Sequence, residues 1–393
     1  MSEQIDHKDL GRELKLFSVN HSVPGTIYWW PKGAKLFDLI VADLKKELQK
    51  QGYKDIKTPA IIDLETLKAS GHYDNYREKL FFVGNEKELE KPRWCLKPMS
   101  CPGGISIFNQ NMHSYKDLPV KYSEMGTVYR YEQPGEVNGL LRVRAMTQDD
   151  AHIYCTEDQL EGELLKLIDF IESLYKRYGF TDIRVELSTR PEKSIGTDEE
   201  WKKAEKGLVT ALEEAKLEYK ENKGDGAFYG PKIDFHVKDA QGRSWQMGTI
   251  QLDFATAERL DANYIDKDGN KKHPIIIHRA ILGSVERFIA VLLEFTNGDF
   301  PEWLSPVQAI ILPVSDKHLD YAKKVADELG DVRTEVDERN ESVGKKIRDA
   351  ELQKIPYIIV VGDKEEKDSN ITVRTRGEKD LKISKIEDFI KEL

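Results

Sequence analysis

Residues 121–155 read KYSEMGTVYRYEQPGEVNGLLRVRAMTQDDAHIYC, and this stretch decides the fold of the chain. It predicts a strand, a tight loop and a returning strand, because Pro134, Gly135, Asn138 and Gly139 supply turn residues between two strand-like runs. The two strands carry more charged residues than a hairpin needs for stability. The stretch therefore indicates a binding function as well as a fold.

The charged residues of this hairpin indicate anionic ligands and a metal ion. Arg130 and Glu132 stand two apart, so on a strand they face the same side, and the returning strand brings Arg142. Inward-facing arginines suit a polyphosphate and a carboxylate, because both accept paired guanidinium hydrogen bonds. Asp150 and His152 share a face further along, which suits an amine and a metal ion.

The composition is typical of a soluble protein in a reducing compartment. The 393 residues are 33% charged with a mean hydropathy of -0.58, and no apolar run approaches the length of a membrane span. Cys95, Cys101 and Cys155 have no regular spacing, which argues against a disulfide framework. The net charge of -10 argues against a nonspecific nucleic-acid binder, although local basic patches leave specific nucleic-acid binding open. We expect a cytoplasmic protein.

The order of predicted elements favours an α+β fold followed by a small α/β domain. Helical spacing of apolar residues covers 34–51, 157–178, 198–218 and 279–295. Strand patterns cover 53–62, 232–238 and 244–254. Strands that do not alternate regularly with helices favour an antiparallel sheet. The segment 300–308 is a plausible linker, and buried strands alternate with helices beyond it.

The hairpin resembles motif 2 of the class II aminoacyl-tRNA synthetases, in the form found in the threonyl-tRNA synthetase family. The resemblance extends from DHKDLGRELKLF at residue 6 to the C-terminus. Helix 34–51, the strand after it and Pro59 resemble motif 1, although any α/β protein has such a unit. Gly283 to Arg287, GSVER, resembles motif 3.

The resemblance implies both the architecture and the reaction. It implies a class II antiparallel sheet flanked by helices in residues 1–302, and an anticodon-binding domain in residues 303–393. Motif 1 would form a homodimer. The reaction would activate L-threonine with ATP and Mg²⁺ to threonyl-adenylate, and transfer it to the 3′ end of tRNA(Thr). Such chemistry needs positioning and charge neutralisation more than acid–base catalysis.

The resemblance assigns the nucleotide to five side chains. Arg130 would bridge the amino-acid carboxylate and the α-phosphate, and Glu132 would hold the adenine amino group. Arg142 would reach the γ-phosphate and Arg287 the terminal phosphate, while Gln246 would face ATP. A single arginine is more often a solvated surface charge, but this alternative is improbable for several charged positions at the spacing of the family.

The resemblance also implies a zinc ion on Cys101, His152 and His278, although their spacing alone would leave each one a structural residue. Three protein ligands leave coordination positions open, as in catalytic zinc sites. The amino and hydroxyl groups of threonine would fill them, so zinc would select threonine over valine. Cys155 is the alternative thiol ligand.

The remaining threonine-binding residues are also carried over from the family. Asp150 would take the amino group, and Gln148, Tyr229 and Gln251 would line the pocket. His72 matches a histidine that helps acyl transfer to tRNA, and a near-neutral imidazole suits that proton shift. An orienting role for this histidine is almost as plausible. The role of Lys232 is left open.

The C-terminal part resembles the anticodon-binding domain of this synthetase subgroup. Asn340, Glu365 and Arg374 match positions that read anticodon bases, whose edges are exposed in an unpaired loop. The basic run at 345–348 suits phosphate contacts or a solvated helix face.

Departures from the family accompany these matches, and Ala145 and Met146 replace a more usual glycine–aromatic pair. Ser100 and Gly104 replace an asparagine and a histidine next to the zinc cysteine. The chain also starts at the catalytic domain, without the editing domains of most bacterial members, so we expect serine activation and no editing in cis. A class II enzyme for another small amino acid and a non-catalytic amino-acid sensor are the alternatives, and threonine-dependent ATP–pyrophosphate exchange separates all three.

Overall fold

The computed structural model describes residues 6–239, 242–378 and 380–393. The chain divides into two compact units. One comprises the described residues up to Ser18 with Tyr28–Ile40 and Thr296–Leu393; the other comprises Val19–Ile27 and Val41–Phe295. Among the described residues, no helix has the length and apolar character that a membrane crossing would need.

The described part of the chain contains helices and strands in alternation. The α-helices are α1 (His7–Glu13), α2 (Pro31–Lys50), α3 (Leu64–Ala69), α4 (His72–Tyr76), α5 (Cys101–Phe108), α6 (Glu157–Arg177), α7 (Asp198–Glu214), α8 (Thr256–Arg259), α9 (Val285–Thr296), α10 (Leu319–Glu328), α11 (Val343–Leu352), α12 (Asp363–Asp368) and α13 (Ile386–Glu392). The strands are β1 (Phe17–Val19), β2 (Ile27–Trp29), β3 (Lys54–Asp55), β4 (Ile61–Asp63), β5 (Phe82–Val83), β6 (Trp94–Leu96), β7 (Val120–Tyr129), β8 (Ala145–Cys155), β9 (Ile183–Ser188), β10 (Tyr219–Asn222), β11 (Lys232–Lys238), β12 (Ser244–Asp253), β13 (Tyr264–Ile265), β14 (Lys271–Lys272), β15 (Ile275–Ala280), β16 (Ala309–Pro313), β17 (Thr334–Val336), β18 (Tyr357–Val361), β19 (Ile371–Thr375) and β20 (Leu381–Ser384).

The larger unit is built on an eight-stranded sheet in the order β10-β9-β11-β12-β15-β8-β7-β3. Its central pairs are antiparallel, and only the outermost pairs, β10 with β9 and β3 with β7, are parallel. A three-stranded sheet, β4-β6-β5, lies in the same unit. The predicted α+β fold with an antiparallel sheet is confirmed.

The helices of this unit form where the spacing of apolar residues predicted them. At the start of α6 the Gln159 side chain accepts the Thr156 N–H at 3.0 Å, and the helix buries apolar side chains from Leu160 to Tyr175 along one face. Thr197 and Glu200 form a capping box at the start of α7, in which each side chain accepts the backbone N–H of the other residue. Both helix predictions are confirmed to within a few residues at their ends.

Two predicted elements are wrong in detail. The strand expected over 53–62 is split into β3 and β4, and Pro59 lies in the gap, because proline cannot donate to a ladder. The helix expected over 279–295 begins only at Val285, because Arg279 belongs to β15. Gly283 separates strand from helix with φ of +73°, and a Cβ there would meet the Met247 carbonyl oxygen at 2.5 Å.

The charged hairpin is β7 and β8, paired in register from Val120 opposite Tyr154 to Tyr129 opposite Ala145. The prediction that Arg130 and Glu132 share a strand face is wrong, because β7 ends at Tyr129. Arg142 likewise precedes β8 rather than lying on it. These arginines and the glutamate lie on the connecting segment, where a loop sets their direction.

The smaller unit contains a five-stranded sheet in the order β17-β16-β18-β19-β20. Its first three strands are parallel to one another, and the last two are antiparallel additions. Apolar residues of β16, β18, β19, α10 and α13 form a buried core between sheet and helices. This arrangement confirms the small α/β domain predicted for the C-terminal part.

Candidate active site

One face of the eight-stranded sheet forms the floor of a cleft of about 620 Å³. The side chains that line it include ten of the predicted site residues: His72, Cys101, Arg130, Gln148, Asp150, Tyr229, Gln246, Gln251, His278 and Arg287. His152 is buried behind the wall, 2% exposed. The structure thus brings together residues that lie more than 200 positions apart in the sequence.

Strand register places the floor residues in a row. His152 on β8 lies directly opposite His278 on β15, which in turn lies opposite Gln251 on β12. Because alternate residues of a strand share a face, Gln148 and Asp150 follow His152 along β8 toward the other end of the cleft. The sheet therefore fixes these side chains on well-supported strands.

Cys101, His152 and His278 form a group able to hold a metal ion. One ligand atom from each lies within 4.8 Å of the other two, and all three residues are buried. A tetrahedral zinc site separates its ligand atoms by about 3.5 Å, so small side-chain rotations would close the group. Nε2 of His152 and Nδ1 of His278 are buried and have no hydrogen-bond partner within the described residues. Such orphaned nitrogens fit the ligand positions of a metal ion.

A carboxylate orients one of these histidines. Nε2 of His278 donates to Oδ2 of Asp253 at 3.0 Å, so its Nδ1 is left toward Cys101 and His152. Asp253 is fully buried, and its Oδ1 accepts the backbone N–H groups of Ala255 and Thr256. Burial raises the pKa of Asp253, but the hydrogen bond and charge of His278 and the hydrogen bonds of Thr256 together outweigh burial, and the pKa lies below its usual value.

The thiol of Cys101 begins α5 and lies in a dry environment. Burial, and then the Asp150 carboxylate, raise the pKa of this thiol well above its ordinary value. The thiolate therefore needs a cation beside it. Burial likewise lowers the pKa of His152 to about 4, which keeps that imidazole neutral and able to donate a lone pair to a metal.

Arginines gather at the opposite end of the cleft. Burial lowers the pKa of Arg287, and the nearby positive charges of Arg142 and Arg130 lower it further. Arg287 is held by the carbonyl oxygens of Leu141 and Gln246, and Arg130 by that of Pro98 at 3.0 Å. Arg130 and Arg287 line the cleft and Arg142 lies near Arg287, and such a group of mutually repelling cations suits a polyanion.

The loop between β7 and β8 carries two ion pairs. Nζ of Lys79 lies 3.2 Å from Oε2 of Glu132, which is 6% exposed. Nη1 of Arg142 lies 3.6 Å from Oε1 of Glu136. The sequence analysis did not single out Lys79 or Glu136, because a lysine in a single 3₁₀ turn and a glutamate in a loop give no periodic signal. Arg142 thus faces a carboxylate of its own loop.

The middle of the cleft carries neutral polar groups. The Tyr229 hydroxyl donates to Oε1 of Gln251, whose Nε2 points to the Thr249 hydroxyl. Oδ1 of Asp150 lies 3.8 Å from Nε2 of His152, at the edge of the metal-ligand group. An amine bound beside the metal would meet this carboxylate.

His72 lines the cleft but is 1% exposed. Its Nδ1 lies 2.8 Å from the Ser70 hydroxyl, and its ring packs edge-on against Phe228. Burial, and then the neighbouring His278, lower the pKa of His72 to about 3. The prediction of a near-neutral imidazole is therefore wrong, and an orienting role by hydrogen bonding fits the environment better.

The sequence analysis missed the buried charges behind the cleft. Asp149 lies on the face of β8 opposite to Asp150, where it binds Nη1 of Arg279 and the N–H groups of Ile281 and Leu282. Burial raises its pKa to about 7. The sequence did contain a signal for this role. Neighbouring residues of a strand point to opposite faces, so one residue of the Asp149–Asp150 pair must face the core.

Glu286 is a second buried carboxylate of this kind. Both of its oxygens accept the Thr147 N–H, at 3.0 and 2.9 Å, so helix α9 is tied to β8 next to the cleft. Burial raises the pKa of Glu286 to about 7. The neighbouring residue is Arg287, so this bond also fixes the start of the helix that carries the arginine.

The glycine that departs from the family pattern lies beside a ligand. A Cβ at Gly104 would lie 3.3 Å from Nδ1 of His152 and 3.4 Å from the Tyr154 hydroxyl. Ser100 Oγ is buried nearby and has no hydrogen-bond partner in the described chain. Both departures thus affect the surroundings of the metal-ligand group rather than the ligands themselves.

The predicted anticodon residues lie in the smaller unit and share no direct contact. Asn340 is exposed in the loop after β17. Glu365 caps α12, because its oxygens accept the Gly362 N–H at 3.0 Å and the Thr372 hydroxyl at 2.8 Å. Arg374 on β19 forms an ion pair with Glu351 at 2.8 Å. Glu365 therefore already has a structural role.

Comparison with known proteins places the chain in a family. Residues 83–296 match the tRNA synthetase class II core domain (G, H, P, S and T), and residues 308–393 match an anticodon binding domain. A crystal structure of the RNA binding domain of threonyl-tRNA synthetase from Cryptosporidium parvum Iowa II is 40% identical. Its TM-score is 0.94, over 99% of this chain and 97% of that one. The chain belongs to the threonyl-tRNA synthetase family of class II synthetases.

Two further relatives agree with this assignment. Threonine--tRNA ligase of Caldanaerobacter subterraneus subsp. tengcongensis is 48% identical over the whole of this chain. The chain spans about 60% of the length of that relative. The structure of a putative threonyl-tRNA synthetase from Aeropyrum pernix is 29% identical, with a TM-score of 0.81 over 94% of this chain and 88% of that chain. Family membership and class II fold are thus established.

Proposed function

We propose that the chain is a threonine–tRNA ligase that activates L-threonine with ATP and Mg²⁺ and transfers it to tRNA(Thr). The observation that carries the proposal is one cleft with two ends. Cys101, His152 and His278 form a buried metal-ligand group at one end, and arginines gather at the other. An amino acid that needs a metal and a nucleotide that needs cations would meet between them.

The cations would act on the first step, in which the threonine carboxylate attacks the α-phosphate of ATP and pyrophosphate leaves. The carboxylate is already ionised, so no general base is required. Arg130 and Arg287 are anchored by backbone carbonyl oxygens, and anchored cations stabilise the developing phosphate charge without reorganising. Glu132 would accept a hydrogen bond from the adenine amino group.

The metal-ligand group would serve the amino acid. The thiol, the two imidazoles and the orphaned nitrogens fit zinc, which would supply a Lewis-acidic contact for the amino and hydroxyl groups of threonine. Asp150 would accept a hydrogen bond from that amino group, and Gln148, Tyr229 and Gln251 would line the pocket. Valine lacks the hydroxyl, so a polar partner in the pocket disfavours it more strongly than an apolar pocket does.

Partners and domain roles follow from the same proposal. Residues 1–302 would be catalytic, and residues 303–393 would read the anticodon through Asn340, Glu365 and Arg374. We propose a homodimer through motif 1, and exposed apolar side chains in the three-stranded sheet, Ile61 and Trp94, support a surface of this kind. Sedimentation of the protein and of an Ile61→Lys variant tests it, and a monomeric wild-type protein contradicts it.

Threonine-dependent ATP–pyrophosphate exchange tests the central proposal. The zinc-replete protein should catalyse exchange with threonine and serine, and exchange with valine should be lower by on the order of a hundredfold or more. Exchange with a different amino acid indicates another class II specificity, and absence of exchange indicates a sensor.

Editing is tested separately. The protein is incubated with serine, ATP and tRNA(Thr), and Ser-tRNA is followed over time. We expect Ser-tRNA to accumulate, because one missing methyl group is worth only about 1–3 kcal/mol of discrimination. Clearance of Ser-tRNA by this protein alone contradicts the expectation of no editing in cis.

A further inference from the structure

A buried carboxylate, Asp234, lies behind the wall of the cleft on β11 and is 1% exposed. Four side chains donate hydrogen bonds to its two oxygens. Oδ1 accepts from Nε2 of Gln246 at 2.6 Å and from the Thr249 hydroxyl at 3.0 Å. Oδ2 accepts from the Ser188 hydroxyl at 3.0 Å and from Nζ of Lys232. Such a group can fix several neighbours at once.

Three of these four donors line the cleft: Lys232, Gln246 and Thr249. A β-bulge makes this possible. Thr249 on β12 lies directly opposite Asp234. Gln246 precedes Thr249 by three residues, so in a regular strand the two side chains would point to opposite faces of the sheet. The register shifts between Phe235 and His236, so Gln246 turns to the face of Thr249.

Asp234 also determines what these side chains present to a ligand. Its oxygens can only accept, so the NH₂ group of Gln246 faces Asp234 and the amide oxygen is directed elsewhere. Lys232 has a second partner, Asp225, at 3.1 Å, which is an exposed side chain. Burial lowers the pKa of Lys232, but the charges and hydrogen bonds of Asp234 and Asp225 together outweigh burial, so the pKa is raised and the ammonium stays charged.

We propose that Asp234 is a positioning residue of the ligase reaction. It would hold the Lys232 ammonium as a fixed cation for the reacting carboxylate and phosphate, and orient the Gln246 amide oxygen toward a hydroxyl or amino group of a substrate. The inference rests on the proposed function and goes beyond it, because Asp234 itself lies behind the lining residues. A fixed cation stabilises developing charge better than a mobile one.

The test is a double-mutant cycle in threonine-dependent ATP–pyrophosphate exchange. Asp234→Asn keeps an acceptor for Gln246 and Thr249 but removes the ion pair with Lys232. We expect it to lower kcat by roughly 10- to 100-fold, on the scale of misplaced catalytic groups, with a smaller change in KM for threonine. Lys232→Met should lower kcat by a similar factor. The kcat of the double variant should lie within about threefold of the kcat of the less active single variant.

Two control variants separate positioning from general stability. Ser188→Ala removes a buried donor to the same carboxylate at a residue whose own side chain does not line the cleft, so its kcat should stay within about twofold of wild type. Asp225→Asn removes the exposed partner of Lys232, 60% exposed at its side chain, and should change kcat by less than about threefold. Because this side chain is exposed, the variant will fold.

The outcomes are distinguishable. Absence of exchange in the wild-type protein contradicts the proposed function. If the wild type is active and the kcat of Asp234→Asn lies within twofold of it, only the positioning role is overturned. The same follows if the kcat losses of the two single variants multiply in the double variant. If Asp234→Asn fails to fold, the Asp225→Asn variant tests the proposal instead. If its kcat falls as far as that of Lys232→Met, Asp225 positions Lys232 and the proposal is overturned.

Discussion

The two ends of the cleft are built in different ways. The side chains of Cys101, His152 and His278 are all buried, and His278 is held by the buried Asp253. At the arginine end, Arg142 and Lys79 are solvent-accessible and pair with the carboxylates of Glu136 and Glu132. The cysteine–histidine end is therefore preformed, whereas at the arginine end an anionic ligand would replace existing ion pairs. Changes at the first end should cost more than changes at the second.

The largest expected effect is at the cysteine–histidine end. Cys101→Ser removes the thiol of the group, so zinc affinity should fall by on the order of a hundredfold or more, and threonine activation should be lost with it. Competition with a chromophoric chelator measures zinc independently of activity. Cys95→Ser, at a buried thiol outside the group, is the control. Full zinc binding by Cys101→Ser would remove the metal assignment.

A smaller loss is expected behind the ligands. Asp253→Asn keeps an acceptor for the Ala255 and Thr256 N–H groups but weakens the hydrogen bond that orients His278. Zinc affinity should fall about 10- to 100-fold, as for other carboxylates that support a ligating histidine. Asp239→Asn, a buried aspartate bound to Arg243, is the matched control. Equal zinc affinities for the two variants would contradict the claim that Asp253 holds His278 in a preformed site.

At the arginine end, removing an ion pair should strengthen ligand binding, whereas the changes at the cysteine–histidine end weaken it. Glu136→Gln releases Arg142, so KM for ATP should fall by about two- to threefold, a range typical of exposed ion pairs. Arg142→Ala should raise KM for ATP, and both effects should shrink at high salt. An increase in KM for Glu136→Gln would show that Glu136 supports ATP binding instead of competing with it.

The smallest effect concerns the bond between α9 and β8 beside Arg287. Burial raises the folded-state pKa of Glu286 to about 7, above its ordinary 4.5, so its ionisation disfavours the folded state as pH rises from 4.5 to 7. Glu286→Gln does not titrate. Its free energy of unfolding should therefore increase relative to wild type by about 1–3 kcal/mol between pH 5 and pH 8.

Urea denaturation at several pH values measures this difference. The control is Glu163→Gln. Burial raises the pKa of Glu163, but the hydrogen bonds and charges of Lys121 and Lys166 together outweigh burial and lower the pKa, so this carboxylate stabilises the fold above its unfolded pKa. The difference in the free energy of unfolding between Glu163→Gln and wild type should not change between pH 5 and pH 8. A flat difference for Glu286→Gln would show that the carboxylate is ionised at no cost.

Much of the fold could be predicted, because helices α6 and α7 and strands β11 and β12 depend on local patterns of apolar residues and caps. The errors lie where distant groups intervene. Arg279 continues β15 instead of starting a helix, because its side chain binds Asp149 across the sheet. Arg130 and Glu132 leave the strand for a loop, which periodicity could not reveal.

The sequence by itself determined the α+β class, the charged hairpin, and a resemblance strong enough to name the ligands residue by residue. Tertiary structure decided the rest, because a site depends on which faces of distant strands coincide. Register sets His152 opposite His278, and the shift between Phe235 and His236 turns Gln246 into the cleft. Burial then fixed the protonation of His72, against the near-neutral value expected from its type alone.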